Sequence, residues 1–179
     1  ELNTFFKKWH NPQLFKSQEK LIKQITAQIK EVEDEMLSII RKDPELKKLY
    51  DLATSVKGVG LVIGITLIVY TNCFTAFDTW RQFATYAGIA PFEDESGTSR
   101  KKPKRVSHMA NKRIKSLLSN AATTSIQFNP EMRLYYQRRV SQGKSKMSTQ
   151  NIIRNKIVSR VFAVIRRGTP YVDTLGYAA

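Results

Sequence analysis

The residues that could do chemistry lie in a serine-containing segment followed by a run of positive charge. Ser96 and Gly97 come directly after three acidic residues, and from Arg100 to Arg113 there are seven Lys or Arg and no Asp or Glu. A serine hydroxyl is a weak nucleophile, so attack on a phosphodiester needs cations that stabilise the pentavalent phosphate. The basic side chains could supply that charge, and Gly97 permits close backbone approach. Residue types alone still favour a simple Ser-Gly turn.

Two other constellations are weaker. Glu93, Asp94 and Glu95 could hold Mg²⁺, but consecutive loop residues rarely all face one ion, and a solvated acidic turn is the better interpretation. His108 has no Gly-x-Ser-x-Gly elbow to serve, which excludes a Ser-His-Asp hydrolase. The single cysteine, Cys73, excludes an internal disulfide, and no His or Cys spacing is typical of zinc. We therefore predict no metal and no cofactor within this chain.

The positive charge is concentrated in the last part of the chain. Residues 96–179 hold eighteen basic and two acidic side chains, and the whole chain of 179 residues has a formal net charge of +15. This asymmetry favours a polyanionic partner, and nucleic acid is favoured over membrane because the basic segments also carry turn residues. The longest apolar run, residues 61–70, is too short to span a bilayer. We expect a cytoplasmic protein with no membrane partner.

The elements that must position these residues are mainly helical. In the N-terminal part, apolar residues recur with spacings of three and four, which predicts a long helix with a coiled-coil seam. An amphipathic helix lying on its own domain fits the same pattern. The seam residues are Ile22, Ile25, Ile29, Val32, Met36 and Ile39. We predict a mainly all-α fold, with a helical, coiled-coil-like region at 1–50 and a second domain at 51–179.

Local start and stop signals divide the second domain into further helices. Helices are predicted at about 44–56, 79–87, 111–129 and 130–140, with a last helix that ends at Gly168. Residues 92–108 are predicted to form an exposed loop or short hairpin, and residues 141–148 a linker.

A glycine turn lies between two helical segments, at Lys57, Gly58, Val59 and Gly60. This is the pattern of a helix-hairpin-helix, whose glycines let the backbone turn tightly and approach a phosphate. The second helix then offers free amides and the positive end of its dipole. A tight turn between helices without any ligand is the alternative.

The order of the motifs resembles one protein family. The motifs are the glycine turn at 57–60, the segment from Phe83 to Pro91, the Ser96-Gly97 pair, the segment from Val106 to Ile114, and the pairs Asn129-Pro130 and Tyr135-Tyr136. No single motif is specific, but the ordered set over residues 54–173 resembles the C-terminal transposase domain of the insertion-sequence-one-ten family. Members of that family are recombinases guided by a bridge RNA.

The resemblance implies a DNA transposase, a serine recombinase whose serine attacks DNA and forms a phosphoseryl link before strand exchange. The family serine falls on Ser96, with Ser99 and Ser107 as alternatives in the same segment. Full-length members carry an N-terminal RuvC-like domain that binds Mg²⁺, joined by a coiled coil, and assemble as dimers or tetramers. Residues 1–50 have a helical pattern and no such domain, so we expect this chain to be inactive without it.

Two functions remain open. The first is a transposase domain that acts on DNA in the bacterial nucleoid, with guide RNA as a further partner and a coiled coil that joins copies of the chain. The alternative is a non-catalytic helix-hairpin-helix module that binds nucleic acid. In either case the predicted nucleic-acid contacts are Lys57, Gly58, Gly60, Arg100, Lys101, Lys102, Lys104, Arg105, Lys112 and Arg113.

Overall fold

The fold is mainly helical, as predicted. The computed structural model describes residues 12–92, 105–106 and 110–173, and these form seven helices and one pair of two-residue strands. The elements are α1 (Pro12–Lys42), α2 (Pro44–Thr54), α3 (Leu61–Tyr70), α4 (Trp80–Tyr86), β1 (Pro91–Phe92), β2 (Arg105–Val106), α5 (Lys112–Phe128), α6 (Pro130–Ser141) and α7 (Lys146–Arg167). None of the described helices is long and apolar enough to cross a membrane.

The chain divides into two compact units, with the boundary between Pro44 and Glu45. In the first unit, the predicted N-terminal helix is confirmed as α1, which is 31 residues long. Its apolar seam is exposed along its whole length, from 63% exposure at Ile22 to 38% at Met36. The pairing of this seam with another helix stays a prediction.

The core of the second unit lies where α4, α5 and α7 meet. Phe83 of α4, Leu118 of α5 and Ile157 of α7 are each at most 1% exposed. The ring of Phe83 lies 5.4 Å from that of Phe77 and 5.7 Å from that of Phe162, centroid to centroid, in the edge-to-face and tilted arrangements that aromatic rings prefer. This aromatic cluster fixes α4 on α7.

Side-chain caps begin the helices where the sequence predicts. Thr79 and Gln82 form a reciprocal capping box at the start of α4, and Gly88 follows that helix in the left-handed conformation with φ of +65°. Asn111 caps α5 by accepting a hydrogen bond from the amide of Ile114 at 3.1 Å. Asn129 caps α6 in the same manner. These polar residues set the boundaries of the elements around the hairpin.

The linker predicted at 141–148 is wrong in its extent. α6 includes Ser141, and α7 already begins at Lys146. The turn is short because Gly143 takes the left-handed conformation, with φ of +78°. Ser145 then caps α7 at once, accepting a hydrogen bond from the Ser148 amide at 3.5 Å.

The glycine turn joins α2 to α3 and packs on α5. Gly58 has φ of +95°, and a Cβ atom placed there would lie 2.0 Å from the hydroxyl oxygen of Ser125. That hydroxyl donates to the carbonyl of Lys57 at 3.1 Å. Gly60 precedes α3 with φ of −90°, and a Cβ atom there would meet nothing within 4 Å. The structure therefore requires glycine at position 58 and leaves space for a side chain at position 60.

Candidate nucleic-acid interface

The serine-containing segment is closed at its base by a strand pair. β1 and β2 are antiparallel, with Pro91 opposite Val106 and Phe92 opposite Arg105. This pairing matches the short hairpin expected for residues 92–108. Residues 93–104 and 107–109 lie outside the described part of the chain. The candidates that fall there are Ser96, Ser99, Arg100, Lys101, Lys102, Lys104 and Ser107, together with the acids at 93–95 and His108.

Two asparagines of α7 hold the chain where it enters the hairpin. The carbonyl of Ile89, which is fully buried, accepts a hydrogen bond from the Nδ2 of Asn151 at 2.8 Å and from the Nδ2 of Asn155 at 2.9 Å. Two donors on one buried carbonyl fix the entry of β1 relative to α7. The sequence reasoning missed both residues. The signal that could have found them is their spacing of four residues, which places both side chains on one face of the helix.

The start of α5 lies beside this hairpin base. The Asn111 amide donates to the Tyr86 carbonyl at 3.1 Å, and the Asn111 side chain donates to the Tyr86 hydroxyl at 3.2 Å. The next two side chains, Lys112 and Arg113, are exposed in the first turn of α5. Cations at a helix N-terminus are unfavourable next to the helix dipole, so a bound anion would be stabilised by the dipole and by both side chains.

Lys57 lies at a different place and already has a partner. Its Nζ is 2.5 Å from Oδ2 of Asp173, with the two side chains 47% and 25% exposed. The amide of Tyr171 donates to Ser55 Oγ at 2.9 Å, so the chain after α7 returns onto the glycine turn. The carboxylate of Asp173 therefore lies beside the glycine turn.

A second ion pair lies along the same C-terminal segment. Arg160 is 2.5 Å from Glu131 Oε1, and the Tyr171 hydroxyl donates to Glu131 Oε2 at 3.3 Å. Burial raises the pKa of Tyr171 above its usual value; the charge of Arg160 opposes this rise and that of Glu131 adds to it. Glu131 and Asp173 are the two acids among residues 96–179, and both are engaged with this segment.

The predicted contacts thus fall into two groups. The glycine turn packs on Ser125, thirteen residues along α5 from Lys112, which corresponds to about 20 Å of helix. Lys112 and Arg113 lie in the first turn of α5, whose Lys115 lines a groove together with Pro91 and Val106 of the hairpin base. The glycine turn, with Lys57, Gly58 and Gly60, packs near the other end of α5. Neither of the two ion pairs between described residues of this part of the chain includes Lys112 or Arg113.

A metal site was not predicted within this chain. Within residues 12–92, 105–106 and 110–173, no group of three His, Cys, Asp or Glu side chains could hold a metal ion.

Releasing Lys57 is expected to strengthen binding to duplex DNA. Asp173→Asn removes the carboxylate that competes with phosphate for the Lys57 ammonium. If this lysine contacts DNA, the slope of log affinity against log salt should steepen by about one. Fluorescence anisotropy across a salt series measures this slope. Asp51→Asn, which removes an equal charge without breaking this ion pair, is the control; equal slopes for both variants would show that Lys57 is not a DNA contact.

The fold and the charge together define a class of protein. It is a mainly helical domain with a strongly basic C-terminal half, which is the charge pattern of proteins that bind nucleic acid. Residues 50–137 match the model of the Transposase IS116/IS110/IS902 family. The chain is therefore similar to this family over these residues, which supports the transposase part of the family resemblance.

Individual relatives agree with the family match. Over 127 residues the chain is 31% identical to the "Insertion element IS110 uncharacterized 43.6 kDa protein" of Streptomyces coelicolor, covering 71% of this chain and 31% of the relative. It is 26% identical over 144 residues to the pilin gene-inverting proteins of Moraxella lacunata and Moraxella bovis, covering 80% of this chain and 45% of each relative. The chain thus spans less than half the length of these relatives.

Proposed function

We propose that this chain is the serine-bearing domain of a DNA transposase, in which Ser96 attacks a DNA phosphodiester during strand cleavage and exchange. The supporting observation is the position of the charges among the described residues: Glu131 and Asp173 form ion pairs along the C-terminal segment, whereas Lys112 and Arg113 are exposed at the start of α5. The names of the relatives refer to an insertion element and to inversion of a pilin gene, both of which concern DNA rearrangement.

The proposed step is a transesterification. A bond forms between Ser96 Oγ and phosphorus, and the bond from phosphorus to the departing deoxyribose oxygen breaks. The serine proton passes to a base, and the departing oxygen takes up a proton to become a hydroxyl. The cations near the hairpin stabilise the extra negative charge of the pentavalent phosphate. The phosphoseryl link conserves the bond energy that strand exchange then uses.

The proposed enzyme includes parts beyond the described residues. Following the family resemblance, we assign the proton acceptor and the Mg²⁺ ligands to the carboxylates of a RuvC-like domain. A guide RNA would choose the DNA site, and both partners would meet this chain at the nucleoid. In this proposal the present chain supplies the nucleophile, the phosphate contacts and the helix that joins two copies.

The joining helix gives a testable prediction about assembly. The exposed seam of α1 would pair with the same seam of a second copy and bury its isoleucines. Ile29→Asp should weaken self-association about thirtyfold or more, because the pair of helices together loses at least ~2 kcal/mol of apolar burial. Sedimentation velocity over a range of concentrations measures the change.

The matched control is Ala27→Asp, which places the same carboxylate two residues away at an exposed position off the seam. It should leave the association constant within a factor of about two, because the new charge stays in water. Equal losses in both variants would show that charge and not the seam controls assembly. A monomeric parent chain would contradict the coiled-coil proposal directly.

The second candidate is a non-catalytic nucleic-acid-binding module. It is favoured by the position of the glycine turn about 20 Å along α5 from Lys112, because that spacing offers two phosphate contacts without any serine. Incubation of the full-length protein with guide RNA and nicked target DNA separates the two functions. The transposase proposal predicts a protein–DNA adduct that survives denaturation. The module proposal predicts no adduct. It predicts binding whose log affinity falls with log salt with a slope of about −5, which corresponds to roughly six phosphate contacts over the whole interface.

A further inference from the structure

A groove lies between the hairpin base and α7. Its volume is about 670 Å³, within the range of about 300–1,000 Å³ that is usual for pockets that bind small ligands. Pro91 and Val106 of the paired strands form one side, and Asn151 and Arg154 of α7 form the other. The groove therefore begins where the chain enters and leaves the serine-containing segment.

The most unusual group in this groove is the guanidinium of Arg154. The residue is only 7% exposed, although its charge is strongly hydrated in water. Its Nη1 donates a hydrogen bond to Asn151 Oδ1 at 3.3 Å, and its Nε has no hydrogen-bond partner among the described residues. Burial lowers the pKa of Arg154 from its usual value. Among those residues no carboxylate forms an ion pair with it.

The neutral partner of Arg154 is itself held in place. Asn151 donates its Nδ2 to the Ile89 carbonyl, which leaves its Oδ1 to face Arg154. A carboxamide oxygen orients the guanidinium but does not cancel its charge. A buried cation without a counter-charge is costly, so an anion that enters the groove would stabilise Arg154.

The other groups in the groove indicate which anion fits. Lys115 adds a second cation on the α5 side, and Trp80 forms part of the wall. Arg81 lies over one face of the Trp80 ring, 4.9 Å from its centroid, so a base would have to stack on the opposite face. Phosphate binds Arg and Lys, and an unpaired base stacks on aromatic rings, whereas bases in a duplex stay inside their own stack.

We propose that this groove binds one nucleotide of an unpaired DNA strand, with its phosphate on Arg154 and Lys115 and its base against Trp80. The proposal rests on the proposed DNA function of the chain and deepens it. Such a site would hold the strand at the foot of the hairpin and so position it for the segment that carries Ser96. Arg154 is in this sense a positioning residue, and it is not assigned to the bond-making step.

The test compares single-stranded with duplex DNA in the full-length protein. Arg154→Met keeps the length of the side chain and removes its charge. Binding of an oligothymidylate of about eight nucleotides should weaken about tenfold, with a salt slope shallower by about 0.7, while duplex binding changes less than about twofold. The thermal midpoint of the free protein should stay equal or rise, since an uncompensated buried charge has been removed.

Two further variants keep the result interpretable. Arg138→Met removes an equal charge from an exposed position on α6 and should leave the ratio of single-strand to duplex affinity unchanged. Lys115→Met should weaken oligothymidylate binding about threefold and provides the answer if the Arg154 variant does not fold. In the 179-residue chain with Trp9→Phe, Trp80 is the one tryptophan left, and quenching of its fluorescence by the oligonucleotide reports contact with the wall directly.

The outcomes that overturn the proposal are distinct. Unchanged oligothymidylate binding with a lowered thermal midpoint would make Arg154 an internal structural cation, for example a partner of the acids at 93–95. A larger loss for oligouridylate than for oligothymidylate would assign the groove to RNA instead of DNA. If the groove variants fail to affect binding but the covalent DNA adduct still forms, the groove proposal alone is wrong. If neither DNA form binds and no adduct forms, the proposed function is wrong as well.

Discussion

Ser96→Ala is expected to abolish strand exchange, with a loss of at least about three orders of magnitude in the single-turnover rate. The methyl group cannot form the bond to phosphorus, and water in its place would hydrolyse the strand without conserving the bond. Binding of target DNA should be unchanged, because the contacts are assigned to the cations and not to the serine. The rate is measured with full-length protein, guide RNA and a pre-nicked DNA substrate.

The neighbouring serines provide matched controls for this substitution. Ser99→Ala and Ser107→Ala remove the same hydroxyl from the same segment and should keep the rate within about tenfold of the parent protein. If either of these variants lost strand exchange completely while the Ser96 variant stayed active, that serine would be the nucleophile instead of Ser96. Equal small losses in all three would favour the non-catalytic module.

Gly58→Ala is expected to lower the free energy of unfolding by about 2–5 kcal/mol. An alanine at φ of +95° costs roughly 1–2 kcal/mol, and its Cβ would overlap the Ser125 hydroxyl at 2.0 Å, which adds roughly 1–3 kcal/mol of overpacking. The turn would have to move away from α5, and the Lys57 carbonyl would lose its hydrogen bond. Urea unfolding followed by circular dichroism measures the change.

Gly60→Ala is the control within the same turn. Its backbone has φ of −90° and its Cβ would enter open space, so the change should be less than about 1 kcal/mol. The double variant Gly58→Ala with Ser125→Ala removes the overlapping oxygen and should recover part of the loss. If both single glycine variants were equally stable, the packing of Gly58 on α5 would not matter to the fold.

The parts of the fold that could be predicted from sequence are those that local chemistry decides. Thr79, Asn111 and Asn129 begin helices because each side chain caps amides two or three residues further on. The apolar spacing in α7 likewise places Ile153 and Ile157 in the core, where both are at most 1% exposed. These signals act over a few residues and need no knowledge of the rest of the chain.

The parts that could not be predicted depend on residues far apart in the chain. The side chains of Asn151 and Asn155 bond the carbonyl of Ile89 across 62 and 66 residues, and Tyr171 bonds Ser55 across 116. A local pattern shows that a polar side chain is present but not which distant carbonyl it meets. For the same reason the ion pair of Lys57 with Asp173 was not foreseen.

The candidate site shows the same division. The sequence predicts a short hairpin and a basic run, and the structure supplies the strand pair that closes the hairpin base. The sequence does not single out Arg154, because it follows the core residue Ile153 and belongs to no motif. Its burial beside the hairpin depends on how α7 packs against β1, which only the three-dimensional structure reveals.

The central claim is that Ser96 forms the covalent link to DNA, and mass spectrometry of the trapped adduct tests it most directly. Full-length protein is stalled on a nicked DNA substrate, digested with nuclease and protease, and the modified peptide is sequenced. We predict a peptide that carries the nucleotide on Ser96. A modification on Ser99, Ser107 or any other residue, or the absence of an adduct from an active protein, would contradict the claim.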